Sequence, residues 1–203
     1  GAEPKILNFQ WINPSSFHHP VNFAAMGLSY AFFPTFCSGE RTAAEVHEVT
    51  QRWTIPSLHN RAKVAWADLG VRTEQVQERV ETGEPIVLYP AISMTERKQP
   101  GQFIQIVSAV QKRINFTVVA RLAESQRASD HAIRLGAQRW SQVSPLRGRD
   151  SYWADLAKTT AFVATASEES YGLEYVEALL AGVVGIFPRL PWAQRLVPEG
   201  YPF

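Results

Sequence analysis

The fold of the chain is decided by the stretch Glu168-Glu-Ser-Tyr-Gly-Leu-Glu-Tyr-Val-Glu-Ala-Leu-Leu-Ala-Gly182. Residues 161–166, which precede it, form a short apolar run that predicts a strand buried on both faces. The polar residues 167–171 and Gly172 predict a turn, and the apolar residues after Gly172 predict a helix that ends at Gly182. The stretch therefore predicts a strand, a turn and a helix in succession.

The start of this predicted helix has a chemistry of its own. Its first backbone N–H groups have no partner within the helix, and the helix dipole favours an anion there, such as a pyrophosphate. Glu169 lies in the turn and Glu177 lies in the first turns of the helix. Because a carboxylate beside a phosphate is unfavourable, Glu177 is better suited to accept hydrogen bonds from sugar hydroxyls, for example from a ribose diol.

The alternation of strands and helices extends back to residue 86. Strands are predicted over residues 86–89, 116–120, 139–143, 161–166 and 183–187. Helices are predicted over residues 102–112, 125–135 and 152–158, in addition to the helix that ends at Gly182. Because strands that alternate with helices form parallel βαβ units, we predict an α/β fold with a doubly wound, Rossmann-like parallel sheet. Ligands of such sheets bind beyond the carboxyl ends of the strands.

The first part of the chain is harder to interpret. A strand is predicted over residues 5–12, and helices are predicted over residues 40–53, 59–69 and 71–80. Gly83 and Pro85 interrupt a charged stretch just before the strongest strand, which predicts a domain boundary between residues 83 and 84. Residues 1–83 are therefore expected to form a partial, mostly helical region, and residues 84–203 are expected to form the Rossmann-like domain.

Composition excludes several classes of protein. The 203 residues include 20 Lys and Arg against 19 Asp and Glu, so no basic excess points to nucleic acid. The hydrophobic content of 45% is typical of a soluble protein, and no apolar run is long enough to span a membrane. Cys37 is the only cysteine, which excludes an internal disulfide and fits a reducing, cytoplasmic compartment. P-loop, dinucleotide-binding, zincin and hydrolase-elbow motifs are absent from the sequence.

The segment from Glu169 to Gly182 resembles the Glu-x7-Glu signature of retaining GT-B glycosyltransferases of the family 4 type. Both glutamates, the Gly-Leu pair at Gly172 and the Ala-Gly end at Gly182 match that signature in register. The flanking segments Tyr152-Trp-Ala-Asp-Leu and Phe187-Pro-Arg-Leu-Pro191 also resemble this family's donor-binding domain. The resemblance implies a transferase that uses a UDP-, GDP- or ADP-sugar as donor, retains the anomeric configuration and needs no metal or other cofactor. The acceptor and the oligomeric state stay open.

The resemblance also implies roles for individual residues. Glu169 would be catalytic, lying over the donor sugar, and Glu177 would bind the ribose. Ser170, Tyr171, Gly172 and Leu173 would contribute mainly backbone N–H groups to phosphate or sugar. Glu168 and Glu174 have no place in the family pattern and are expected to be structural.

The loop after the first predicted strand of the second domain contains two cationic residues that could contact a diphosphate. Arg97 and Lys98 lie in it, where positive charge would neutralise a diphosphate. The resembling family has an Arg and a Lys here in the pattern Arg-Leu-x-x-x-Lys. Lys98 fits the Lys position, but Ser93 occupies the Arg position, so only Arg97 or a distant residue such as Arg121 could replace that charge.

Other interpretations stay open because the resemblance is incomplete. A GT-B enzyme pairs two complete Rossmann-like domains, and residues 1–83 are too few for a complete first, acceptor-side domain. The second domain is likewise expected to be truncated at its C-terminus relative to the family. The chain could therefore be a non-catalytic binding module or partner subunit, or it could use the same site as a sugar-nucleotide epimerase or phosphorylase.

Overall fold

The structure is a computed structural model and describes residues 6–202. The chain forms two compact units, one up to Gly70 and one from Val71 onward, and each has its own parallel sheet. The boundary that the sequence predicted between two functional domains, at residues 83 and 84, stays a prediction.

The first unit is a three-stranded parallel sheet with helices between its strands. In chain order it contains β1 (Asn8–Gln10), α1 (Pro20–Phe32), β2 (Thr35–Cys37), α2 (Glu40–Trp53), α3 (Pro56–His59) and β3 (Val64–Trp66). The strands pair in the order β1-β2-β3. Helix α2 has the bounds that its pattern predicted. Its buried face, with Val46 at the centre, packs against Tyr30 of α1 and Cys37 of β2.

Two helices predicted from local patterns are wrong. Within residues 59–69, Val64–Trp66 is a strand paired in parallel with β2, because tertiary pairing outweighs local helical periodicity. Within residues 71–80 only Thr73–Gln75 forms a short 3-10 turn. The chain there follows the end of α6 (Arg149–Lys158), where Arg79 and Val80 donate hydrogen bonds to the carbonyls of Leu156 and Ala157. The predicted strand over residues 5–12 is shorter, and Lys5 lies outside the described residues.

The second unit confirms the predicted doubly wound sheet. Its strands are β4 (Ile86–Tyr89), β5 (Thr117–Leu122), β6 (Ser141–Pro145), β7 (Ala161–Val163) and β8 (Val184–Ile186). Besides α6, its helices are α4 (Pro100–Gln111), α5 (Asp130–Gly136), α7 (Leu173–Leu180) and α8 (Pro191–Gln194). All five strands are parallel, in the order β6-β5-β4-β7-β8.

Helices cover both faces of this sheet. On one face, α6, α7 and α8 pack around Phe162, with Trp153 and Tyr175 among the buried residues. On the other face, α4 and α5 pack around Val118 and Leu122. Neighbouring residues Leu88 and Tyr89 of β4 belong to opposite clusters, as the alternation of side chains along a strand requires.

The strand order reverses at β4. The chain runs outward through β5 and β6, then returns through α6 to place β7 on the other side of β4. In sheets of this kind, the crevice at the point of reversal is where ligands bind. The loops that follow β4 and β7 therefore define the first place to look for a site.

Candidate functional site

Hydrogen bonds hold the loops after β4 and β7 together. The backbone N–H of Ser167 donates to the carbonyl of Arg97 over 2.9 Å, and the hydroxyl of Thr165 donates to the carbonyl of Lys98 over 2.9 Å. The Arg97 side chain is exposed, so this residue contributes its backbone to the contact. The contact brings Lys98 beside the turn that contains Glu169.

Lys98 is surrounded by acidic and aromatic groups. Its Nζ lies 2.5 Å from Oε1 of Glu169 and 3.6 Å from Oε2 of Glu174. The Tyr175 hydroxyl donates to the same Glu169 oxygen over 2.9 Å, and the Tyr175 ring lies 5.8 Å from Nζ. Burial raises the pKa of Glu174, Lys98 opposes this rise, and the charge of Glu169 adds to it. The charge of Lys98 is therefore balanced within the protein.

Gly172 precedes α7 in a conformation that few other residues adopt. Its φ of 84° lies in the left-handed region. A Cβ atom at this position would lie 2.9 Å from side-chain atoms of both Leu196 and Tyr175. The sequence predicted a glycine-dependent turn here, and this geometry confirms it. Ser170, Tyr171 and Leu173, the other predicted contributors, lie partly buried around this turn.

Glu177 lies one helical turn beyond Glu174 and pairs with Arg149. Residue Glu177 is only 4% exposed. The Arg149 Nη2 donates to Oε1 of Glu177 over 2.6 Å, and Nη1 lies 3.5 Å from Oε2. The hydrogen bond with Glu177 raises the pKa of Arg149. The Arg149 guanidinium carbon also lies 5.1 Å and 5.6 Å from the ring centres of Tyr152 and Trp153.

A third cation, Arg121, lies at the end of β5 and is almost wholly buried. Its Nε lies 3.2 Å from Oδ2 of Asp155, and its guanidinium carbon lies 5.0 Å from the Tyr152 ring centre. Burial lowers the pKa of Arg121, the charge of Asp155 opposes this, and the charges of Arg147 and Arg149 add to the lowering. Arg121 lines a small cavity of about 40 Å³ at the carboxyl ends of β4 and β5, together with Tyr152 and Glu174.

The charged residues around the start of α7 differ in two ways from what the sequence suggested. The structure brings together Lys98, Glu169 and the Gly172 turn, but the side chain of Glu177 is buried against an arginine that the motif does not contain. Sequence reasoning missed Arg149 and the pairing of Glu174 with Lys98. The sequence contained one indication of this arrangement. Glu174 and Glu177 are three residues apart, which places both carboxylates on one face of α7, where each can meet a cation.

The described range, residues 6–202, has no metal-binding cluster and no membrane-spanning helix. Within it, no three His, Cys, Asp or Glu side chains are grouped closely enough to hold a metal ion. The helices in that range are all too short or too polar to cross a membrane.

No protein-family model matches the chain, and no curated protein sequence matches it. Several solved structures do resemble it. TarM superposes with a TM-score of 0.69 at 13% identity, over 94% of this chain and 38% of that one. A TarM variant from S. aureus in complex with fondaparinux, alpha-GlcNAc-glycerol and UDP gives 0.66 at 11% identity, over 90% and 37%.

Two further similar structures are of proteins whose names describe an activity. Sucrose-phosphate synthase from Thermosynechococcus elongatus gives a TM-score of 0.65 at 13% identity, over 90% of this chain and 47% of that one. WaaG, a glycosyltransferase involved in lipopolysaccharide biosynthesis, gives 0.57 at 12% identity, over 81% and 46%. These likenesses show that the chain has the Rossmann-like fold of GT-B proteins. The chain spans less than half the length of each of these structures.

Proposed function

We propose that the chain is the nucleotide-sugar-binding part of a retaining GT-B glycosyltransferase. The observation that carries the proposal is the contact between the loops after β4 and β7, which brings Lys98 and Glu169 together at the reversal of strand order. The matching Glu-x7-Glu segment supports the same assignment. The UDP bound in the TarM complex and the glycosyltransferase activity of WaaG support a nucleotide-sugar donor.

The donor's diphosphate would lie between Lys98 and the start of α7, with Arg97 at its exposed side. Backbone N–H groups of Ser170, Tyr171, Gly172 and Leu173 would surround phosphate and sugar. Glu169 would accept hydrogen bonds from the sugar hydroxyls, and the ribose would bind near Glu177.

Donor binding would exchange one ion pair for another. In the structure Lys98 is paired with Glu169 over 2.5 Å. A phosphate that takes Glu169's place beside Lys98 would release the Glu169 carboxylate toward the sugar. As the bond between the anomeric carbon and the phosphate oxygen breaks, negative charge grows on the leaving diphosphate, and the adjacent cations and helix dipole would stabilise it. The acceptor hydroxyl would then bond to the anomeric carbon on the face that the diphosphate left, and its proton would pass to the leaving diphosphate oxygen on that same face.

The first test is calorimetric titration with UDP, GDP, ADP and their common sugar conjugates. We expect one nucleotide family to bind saturably and Lys98→Ala to weaken that binding about tenfold or more, as expected for loss of a charge-assisted contact. Lys112→Ala, which removes an exposed lysine at the end of α4, is the matched control and should bind normally. Absence of binding to all of these nucleotides by a folded sample would contradict the proposal.

A non-catalytic binding module is the second candidate. It is favoured by the engagement of Glu169 with both Lys98 and Tyr175. Product analysis with the donor that binds separates the two candidates, because a module consumes no donor. An epimerase or phosphorylase using the same site would instead release an isomerised donor or a sugar phosphate. A transferase releases the free nucleotide and a glycoside whose anomeric configuration reports retention.

A further inference from the structure

Two carboxylates on one face of α7 each pair with a cation, and the two pairs differ in accessibility. The side chain of Lys98 is 19% exposed and contacts both Glu169 and Glu174. The side chain of Arg149 is 52% exposed and contacts the single buried carboxylate of Glu177. Of these two cations, Arg149 is therefore the one that a ligand can reach without first displacing a protein carboxylate.

The contacts of Arg149 fix the position of its guanidinium and leave part of its N–H groups available to a ligand. The rings of Tyr152 and Trp153 lie 5.1 Å and 5.6 Å from the guanidinium carbon. Of the five N–H donors of an arginine, only two are directed at Glu177, so three stay available. A ligand that binds such a fixed group loses little side-chain entropy in doing so.

Two further arginines lie near Arg149, because Arg121 and Arg149 share the Tyr152 ring and Arg147 precedes Arg149 by two residues. Burial lowers the pKa of Arg121, and the charges of Arg147 and Arg149 act on it in the same direction. Arg147 is exposed, and in the part of the chain that the structure describes its side chain makes no ion pair. The acidic groups nearby are Asp155 and Glu177, which pair with Arg121 and Arg149, Glu174, which lines the cavity beside Arg121, and the exposed Asp150 that follows Arg149.

We propose that Arg149 binds an anionic phosphate group of the nucleotide ligand, and that Glu177 acts as a positioning residue that holds Arg149 for this contact. The inference rests on the proposed function, because it concerns the same ligand. It adds a cation from the loop between β6 and α6 to the predicted cations of the loop after β4. Planar guanidinium groups suit phosphate because two parallel N–H groups meet two phosphate oxygens.

The test compares ligands that do and do not carry phosphate. Inorganic pyrophosphate, the nucleoside diphosphate that binds the wild-type protein and the corresponding nucleoside are titrated calorimetrically against wild type, Arg149→Gln and Arg149→Lys. We expect Arg149→Gln to weaken pyrophosphate and diphosphate binding about tenfold to a hundredfold and to leave nucleoside binding unchanged. Arg149→Lys should recover part of the loss, because it restores the charge without the fork of donors. Arg134→Gln, an exposed arginine on α5, is the control and should bind as wild type does.

Glu177→Gln separates positioning from direct contact with the ribose. If Glu177 positions Arg149, its loss weakens the phosphate-bearing ligands and has no further effect in the Arg149→Gln background. Equal weakening of nucleoside and diphosphate binding would overturn the positioning role. Thermal unfolding of each variant without ligand ensures that binding is measured on folded protein.

The outcomes also separate this inference from the proposed function. Diphosphate binding that is as tight in Arg149→Gln as in wild type overturns the inference and leaves the proposed function standing. Binding of pyrophosphate that depends on Arg149, without binding of UDP, GDP or ADP, supports the phosphate contact and contradicts the nucleotide-sugar donor. Absence of binding to all of these anions by the wild-type protein overturns both.

Discussion

Helices α6 and α7 both begin after a glycine, yet their first turns have opposite surroundings. Neither Gly148 nor Gly172 provides a side-chain cap. Around the start of α7, two carboxylates face Lys98, and the backbone of Gly172 is packed against neighbouring side chains. Around the start of α6, Arg149 is half exposed, and a Cβ atom on Gly148 would meet no atom within 4 Å.

This difference means that a ligand would meet an occupied cation at the start of α7 and an accessible one at the start of α6. The Glu-x7-Glu motif lies at the start of α7, where Glu169 and Glu174 already pair with Lys98. The half-exposed guanidinium of Arg149 lies instead at the start of α6, outside the Glu-x7-Glu segment. The two helix starts would therefore contribute differently to one ligand. At α7 the ligand would take the place of Glu169 beside Lys98, whereas at α6 it would meet Arg149 while Arg149 stays paired with Glu177.

The largest expected effect on stability comes from substituting Gly172, and Gly148 is its control. Gly172→Ala should lower the free energy of unfolding by about 3 kcal/mol, because it combines positive φ with a Cβ atom only 2.9 Å from two side chains. Gly148→Ala should cost only about 0.5 kcal/mol, because its backbone is extended and its surroundings are open. Urea unfolding measures both, and similar losses for the two variants would contradict the contrast between the helix starts.

A smaller effect is expected from removing the buried carboxylate of α7. Glu177→Ala should lower the free energy of unfolding by about 2 kcal/mol, because it removes charge-assisted hydrogen bonds from Arg149. The same substitution in an Arg149→Ala background should cost about 1 kcal/mol less, which a double-mutant cycle measures. Additive losses would mean that the pair contributes no coupling, and that Glu177 does not hold Arg149.

The smallest effect concerns Glu174 and depends on pH. Because its folded-state pKa is raised, the folded protein binds this proton more tightly than the unfolded chain does, so ionisation of Glu174 disfavours folding. The penalty is absent below the ordinary value of 4.5 and is complete once the pH exceeds the raised value. Glu174→Gln should therefore stabilise the protein by less than about 1 kcal/mol at pH 8 and by nothing at pH 4, because the Lys98 contact offsets part of the penalty. Thermal unfolding at both pH values measures this, and a loss of stability at pH 8 would show that the contact outweighs the burial.

The fold was predictable where local pattern and tertiary environment agree. Residues 86–89 and 40–53 have the predicted bounds, because a β-branched apolar run and an amphipathic periodicity each suit the core that they face. Residues 59–69 and 71–80 were predicted wrongly. Their structure depends on partners far along the chain, β2 for Val64–Trp66 and the end of α6 for Arg79 and Val80.

The arrangement of the candidate residues was predictable in part. The proximity of Lys98 to Glu169 follows from parallel strands, whose carboxyl ends share one edge of the sheet. The pairing of Arg149 with Glu177 joins residues 28 positions apart in sequence, and no local pattern marks it.

The sequence by itself determined the alternation of strands and helices, the need for Gly172 and the order of the charged residues along the chain. These properties depend on backbone sterics and on the periodicity of apolar side chains, which act between near neighbours. Only the tertiary structure decided which cation meets which carboxylate. Strand order places Lys98 and Arg149 beside α7 from two separate loops, and an electrostatic interaction depends on distance in space rather than along the chain.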